Sequence, residues 1–158
     1  MTEEKALARA KSLAFRYLAV RPRSRSELAG YLAKKETPEE VISETMSALD
    51  GYGYIDDRKF AIDYGRYLIQ HKGLSRYGLR FELARKGVSG ADIDNAAEVL
   101  FGEDGEDEES VAIRVSRKKA ESMKGIGREK ARRRLIDYLR RRGFSFDIIS
   151  RTLRNLDY

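Results

Sequence analysis

The chain repeats itself, and this limits its possible folds more than any other feature. Moved by 51 residues, Ser24, Arg25, Leu28, Leu32, Ala33, Lys35, Ile42 and Leu49 fall on Ser75, Arg76, Leu79, Leu83, Ala84, Lys86, Ile93 and Leu100. A further shift of 56 carries Leu79, Leu83, Arg85, Gly87, Ser89, Ile93 and Leu100 onto Leu135, Leu139, Arg141, Gly143, Ser145, Ile149 and Leu156. Amphipathic helices match one another's leucines by chance, but serines and glycines are punctuation, and their agreement marks a true repeat. A unit of roughly 50 residues cannot bury its own apolar face, so such units stack on their neighbours.

Each unit resolves into three helices. Leu7, Ala10, Ala14, Tyr17 and Leu18 form one apolar stripe and Leu28, Tyr31 and Leu32 the next, with no strand-like alternation between them. Ser24-Arg25-Ser26-Glu27 and Thr37-Pro38-Glu39-Glu40 have the form of capping boxes, the second with Pro at the first helical position, and Ser89-Gly90-Ala91-Asp92 is a weaker version. Gly51, Gly87 and Gly143 stand where helices should stop, each supplying the left-handed conformation of a C-terminal cap. Asp56 is expected to cap a helix whose buried stripe is Phe60, Ala61, Tyr64 and Leu68, while Asp57 suits the helix dipole. These marks predict nine helices, over residues 3–20, 25–35, 38–50, 57–71, 75–86, 90–101, 108–124, 128–142 and 146–156, with the middle helix of the third unit one turn longer than its counterparts. The predicted fold is all-α: three tandem three-helix repeats stacked into an elongated curved array. Repeat 1 covers residues 1–56, repeat 2 covers 57–102, an acidic linker 103–109, and a basic repeat 3 covers 110–158.

Charge is distributed unevenly over this frame. Residues 1–57 carry 9 basic and 10 acidic side chains, residues 58–109 carry 8 and 11, and residues 110–158 carry 15 and 5, so the net charges are −1, −3 and +10. The excess sits in repeat 3, which points to a local anionic partner, either nucleic acid or an acidic protein surface. In the helix over 128–142, Ala131, Leu135, Tyr138 and Leu139 define the core side, and Lys130, Arg133, Arg134, Arg140 and Arg141 the opposite arc. In the preceding helix Arg114, Arg117, Lys118 and Lys124 line the face away from Val115 and Met123. Asp137 and Glu121 interrupt these arcs and are expected to form salt bridges within them.

Groups for catalysis are sparse. The chain has no cysteine and a single histidine, His71, which excludes thiolate chemistry, a disulfide framework and metal binding by paired histidines. No phosphate-cradling glycine motif occurs, and Asp56-Asp57 reads as a helix start rather than an acid/base pair. The chain is therefore expected to bind macromolecules, not to act as an enzyme. Its polar N-terminus and lack of a long apolar stretch predict a cytoplasmic protein without membrane contact.

Ser24-Arg25-Ser26-Glu27-Leu28, Gly53-Tyr54-Ile55-Asp56-Asp57 followed by Phe60-Ala61, Lys72-Gly73, Glu82-Leu83-Ala84-Arg85-Lys86-Gly87-Val88, and Arg141-Arg142-Gly143-Phe144 resemble, in this order, the RecX family of recombinase regulators. The resemblance implies tandem three-helix repeats and no cofactor. It also implies a negative regulator of the RecA recombinase, one that lodges in the groove of the RecA filament on single-stranded DNA and restrains ATP hydrolysis, strand exchange and filament extension. A monomer is expected, with contacts to single-stranded DNA auxiliary to those with RecA. The expected contacts are Arg25, Lys35, Arg76, Arg80, Arg85 and Lys86 from the first two repeats, and Arg117, Lys118, Arg128, Lys130, Arg133, Arg134, Arg140 and Arg141 from the third. The alternative is a stand-alone nucleic-acid-binding helical module. Two positions depart from the family: Glu36 stands where a glycine often ends the second helix, and Leu68-Ile69-Gln70 lacks an arginine expected soon after Arg66.

Overall fold

A computed structural model describes all 158 residues, Met1 to Tyr158. It contains nine helices and no strand: α1 Glu3–Val20, α2 Arg25–Lys34, α3 Glu39–Gly51, α4 Asp57–Lys72, α5 Arg76–Arg85, α6 Gly90–Phe101, α7 Glu108–Glu121, α8 Arg128–Arg141 and α9 Phe146–Asn155. They form three tandem three-helix repeats. α8 has 14 residues against 10 for both α2 and α5, so the third middle helix is longer by about one turn, as its sequence predicts. No helix is long and apolar enough to cross a membrane.

The chain divides into two compact units, one of Met1–Ala61 with Leu83–Ile93 and one of Ile62–Glu82 with Asp94–Tyr158. In the first unit Ala10, Ala14, Leu28, Leu32, Val41, Met46, Leu49 and Ile55 close a core. The Ser24 box forms as predicted: Ser24 Oγ accepts from the N–H of Glu27, and the Glu27 carboxylate accepts from the N–H of Ser24. Ser24 is fully buried, and its hydroxyl also donates to the carbonyl of Lys86, 2.6 Å away at the end of α5. The α2 N-terminus is closed further by Asp57, whose Oδ1 accepts from the N–H of Arg25 at 2.8 Å.

The second unit repeats this joint. Ser75 is also fully buried at the start of α5, its Oγ accepting from the N–H of Gly78, and its own N–H donates to the carbonyl of Arg142 at the end of α8. Glu108, the counterpart of Asp57 at the shift of 51, accepts from the N–H of Arg76 at 2.7 Å. In both units the C-terminus of one middle helix thus seats on the serine cap of the preceding one, so buried donors and acceptors at two helix ends are satisfied together. The seat requires a bare backbone at Gly143, which sits at φ 90°. A Cβ there would lie 2.5 Å from Ser75 Oγ and 2.7 Å from the Gly78 nitrogen.

The punctuation differs from its sequence prediction in three places, and Glu36 keeps the backbone of the glycine it replaces. Gly51 is the last helical residue of α3, and Gly53 takes the left-handed turn at φ 77°. Thr37 makes no side-chain cap, because α3 begins only at Glu39, after Pro38, and its first turn closes on the Pro38 carbonyl. α7 stops at Glu121, where the Ser122 hydroxyl donates to the Lys119 carbonyl and the chain tightens toward Gly125. Glu36 occupies the left-handed region at φ 60°, the conformation that its counterparts Gly87 and Gly143 adopt at φ 77° and 90°. The family's glycine is therefore replaced without a change of backbone, at a conformational cost of about 1 kcal/mol.

Gly143→Ala should lower stability by about 2 kcal/mol or more, because a Cβ meets both strain and contact. Gly125→Ala, at φ 88° but in open space, should cost only about 1 kcal/mol. Thermal denaturation of both variants checks this, and equal losses would contradict the proposed seat.

Candidate interaction face

α8 concentrates the charge of repeat 3. Ala131, Leu135 and Leu139 are buried, and they pin the helix so that Arg128, Lys130, Arg132, Arg133, Arg134, Arg140 and Arg141 all lie exposed. None of these seven cations forms a salt bridge, and neither do the two carboxylates of the helix, Glu129 and Asp137. The expected pairing of Asp137 with Arg133, Arg134 and Arg141 is absent. On a fully exposed helix face, such pairs gain too little to fix long side chains in one geometry. Glu121 does pair, with Lys124 at 3.1 Å.

Beside this helix the second unit has an open cleft of about 420 Å³ between the end of α4, α7 and α8. Lys72, Arg114, Lys118 and Lys119 line it, together with His71 and Tyr138. Arg142 stacks on the Tyr138 ring, its Cζ 3.4 Å from the centroid, and donates to the Lys72 carbonyl, so its charge is spent on holding α8 against α4. Burial pushes the Arg142 guanidinium below its usual range; Tyr138 opposes that and Arg141 adds to it. Arg114 is held by Glu106 at 2.6 Å and donates to the Ile69 carbonyl. The sequence pattern placed Lys118 here but not Lys72 or Lys119. The Arg117-Lys118-Lys119 run was the available signal for Lys119.

The predicted contacts of the first two repeats are more engaged. Arg25 pairs with Asp50 at 2.8 Å, and Arg76 donates to the Phe101 carbonyl at 2.9 Å, each guanidinium reaching the last residues of its own repeat's third helix. Arg80 pairs with Asp94 at 2.6 Å, and Lys86 lies 3.5 Å from Glu27. Lys35 is exposed and rests over the Tyr31 ring, and Arg85 is exposed on α5. In repeat 3, Arg117 reaches Asn155 at 3.5 Å, and Lys118 is exposed in the cleft. Of the predicted contacts, all six on α8 are exposed and form no ion pair.

These features define a class: an all-α tandem-repeat protein whose third repeat presents a dense, unneutralised cationic helix. Three family models match the chain in order: RecX first three-helix domain over residues 10–49, second over 56–96 and third over 106–153. The chain belongs to the RecX family of regulatory proteins. It is 37% identical over 145 residues to the regulatory protein RecX of Streptomyces lividans, covering 92% of this chain and 76% of that one. With the regulatory protein RecX of Amycolatopsis mediterranei it shares 34% identity over 155 residues, covering 96% and 87%. The crystal structure of RecX from Lactobacillus salivarius superposes with a TM-score of 0.76 at 22% identity, covering 98% of both chains, and so shares the fold.

One carboxylate at the first joint is coupled to the charges around it. Burial alone would push the Glu27 carboxyl up, but the hydrogen bond from Arg21, the Ser24 N–H and the charges of Arg21 and Lys86 together hold it below its ordinary value of 4.5. A depressed carboxyl contributes stability that is present above its unfolded value and lost as pH falls through the folded one. Glu27→Gln should therefore cost about 1 to 2 kcal/mol at pH 7, and the difference from the parent should shrink as pH is lowered into and below the ordinary carboxylate range. Urea denaturation across that range checks it; a difference that stays constant with pH would contradict the coupling.

Proposed function

We propose that this chain is a negative regulator of a RecA-type recombinase, one that binds in the groove of the recombinase filament on single-stranded DNA and inhibits its ATPase, strand exchange and extension. Membership of a family of regulatory proteins supports this, as does the resemblance of the Gly53-Tyr54-Ile55-Asp56-Asp57 segment and its flanks to recombinase regulators. The observation that carries the reading is the α8 face: seven exposed cations with no partner inside the chain offer charge to an anionic surface outside it.

In this proposal Arg128, Lys130, Arg133, Arg134, Arg140 and Arg141 make the principal contact, with Arg117 and Lys118 beside them. Arg25, Lys35, Arg76, Arg80, Arg85 and Lys86 add contacts from the first two repeats. Their internal pairs with Asp50, Asp94 and Glu27 hold several of these side chains in place. Binding to the protein filament is primary and contact with DNA auxiliary; the chain acts as a monomer and performs no chemistry of its own.

The test is the ATPase rate of a RecA recombinase on single-stranded DNA as this protein is titrated, beside the variant R133E/R134E/R140E/R141E. The expected result is a fall in rate at well under one molecule per recombinase subunit, with at least a tenfold higher concentration of the variant needed. An unchanged rate, together with tight salt-sensitive binding to bare DNA, would instead identify a stand-alone nucleic-acid-binding module.

A further inference from the structure

Between α8 and α9 lies a second groove, of about 260 Å³, whose walls are apolar and whose rim is cationic. Ile136, Phe144, Phe146 and Leu153 line it, with Arg132 and Arg140 on the α8 rim. Phe144 and Leu153 are buried at 5% and 3% exposure and belong to the core, whereas Phe146, at the first position of α9, is 81% exposed. The repeat does not require an aromatic there: its counterparts at shifts of 56 and 107 are Gly90 and Glu39. Likewise Ile136, midway along the rim, corresponds to Arg80 and Ala29. The groove is therefore particular to the third repeat, and the exposed Phe146 ring extends its apolar wall.

We propose that this groove binds an extended acidic segment of a protein partner, with one large apolar side chain seated between two carboxylates. Arg132 and Arg140 form no salt bridge and are eight residues apart on one helix, which separates them by about 12 Å along its axis. On an extended peptide, at about 3.3 Å per residue, carboxylates four positions apart span about 13 Å. The residue between them falls opposite Ile136, where the groove is apolar and Phe146 can close over it. The ligand pattern is thus acid, any residue, large apolar, any residue, acid. The volume admits one or two large side chains and not a helix, whose diameter is about 10 Å. An apolar floor favours peptide over nucleic acid, whose backbone would leave it unfilled; the cationic cleft between α4, α7 and α8 is the better match for phosphates. This proposal names the chemistry of a contact and does not depend on the partner being a recombinase.

The experiment is a titration of the isotope-labelled full chain with a blocked synthetic peptide, Gly-Asp-Ser-Phe-Ser-Asp-Gly, followed by amide NMR shifts. Saturable shifts confined to residues 132–153, with a Kd on the order of 0.1 to 1 mM, are expected for so short a ligand. The peptide with Ser in place of Phe, and the variants Phe146→Ser and R132E/R140E, should each weaken binding at least tenfold. Both variants alter exposed side chains, and their unperturbed spectra will show that they fold. No shifts at about 2 mM peptide, equal binding of the Ser peptide, or shifts centred elsewhere would overturn the proposal. So would an oligothymidylate that shifts the same groove resonances in the parent but not in Phe146→Ser, because the groove would then serve nucleic acid.

Discussion

The structure depends on what happens at two buried helix ends. The first N–H groups of a helix have no partner inside it, and hiding them from water without one is costly. Ser24 and Ser75 are both fully buried, so each must be satisfied by protein. They are, by their own caps and by the carbonyls of Lys86 and Arg142 that end the next middle helix. Asp57 and Glu108 then close the remaining donors of Arg25 and Arg76. A repeat can bury its cap only because the following repeat supplies these groups, which is why three-helix units too small to stand alone form a folded array.

That joint also decides what the surface can do. Arg25, Arg76 and Arg142 are spent on it or beside it, on Asp50, on the Phe101 carbonyl and on the Lys72 carbonyl with the Tyr138 ring. No joint claims the outer face of α8. Its cations stay unpaired, repel one another, and gain most from an outside anion. The same repeated construction thus leaves Arg25 and Arg76 already engaged at the joints, so that any outside contact they make is shared, while the α8 cations are uncommitted.

Much of this was legible in the residues. The helical period, the Ser24 box, the matching of Ser24 with Ser75 and of Gly87 with Gly143, and the extra turn of α8 all follow from local propensity and spacing. What escaped was set by distance along the chain. Asp57 lies 32 residues from Arg25, and Glu108 lies 32 from Arg76, so in sequence Asp57 looked like an ordinary dipole-favouring carboxylate and Glu108 like part of the acidic linker. The misplacement of Gly51 for Gly53, and of Thr37 for Pro38, came from motifs that fit equally well a residue or two away. On the candidate face, the charge excess of residues 110–158 was plain, but which cations are free could not be read, because Arg25, Arg76 and Arg114 have partners that only packing brings near.

Arginine modification read by mass spectrometry shows whether α8 meets the recombinase filament, as we propose. With phenylglyoxal applied to the chain alone and to the chain co-sedimented with filament, Arg133, Arg134, Arg140 and Arg141 should be protected in the complex, while Arg9 and Arg16 of α1 react equally in both. Unchanged reactivity of the four α8 arginines in a chain that does co-sediment would place the contact elsewhere.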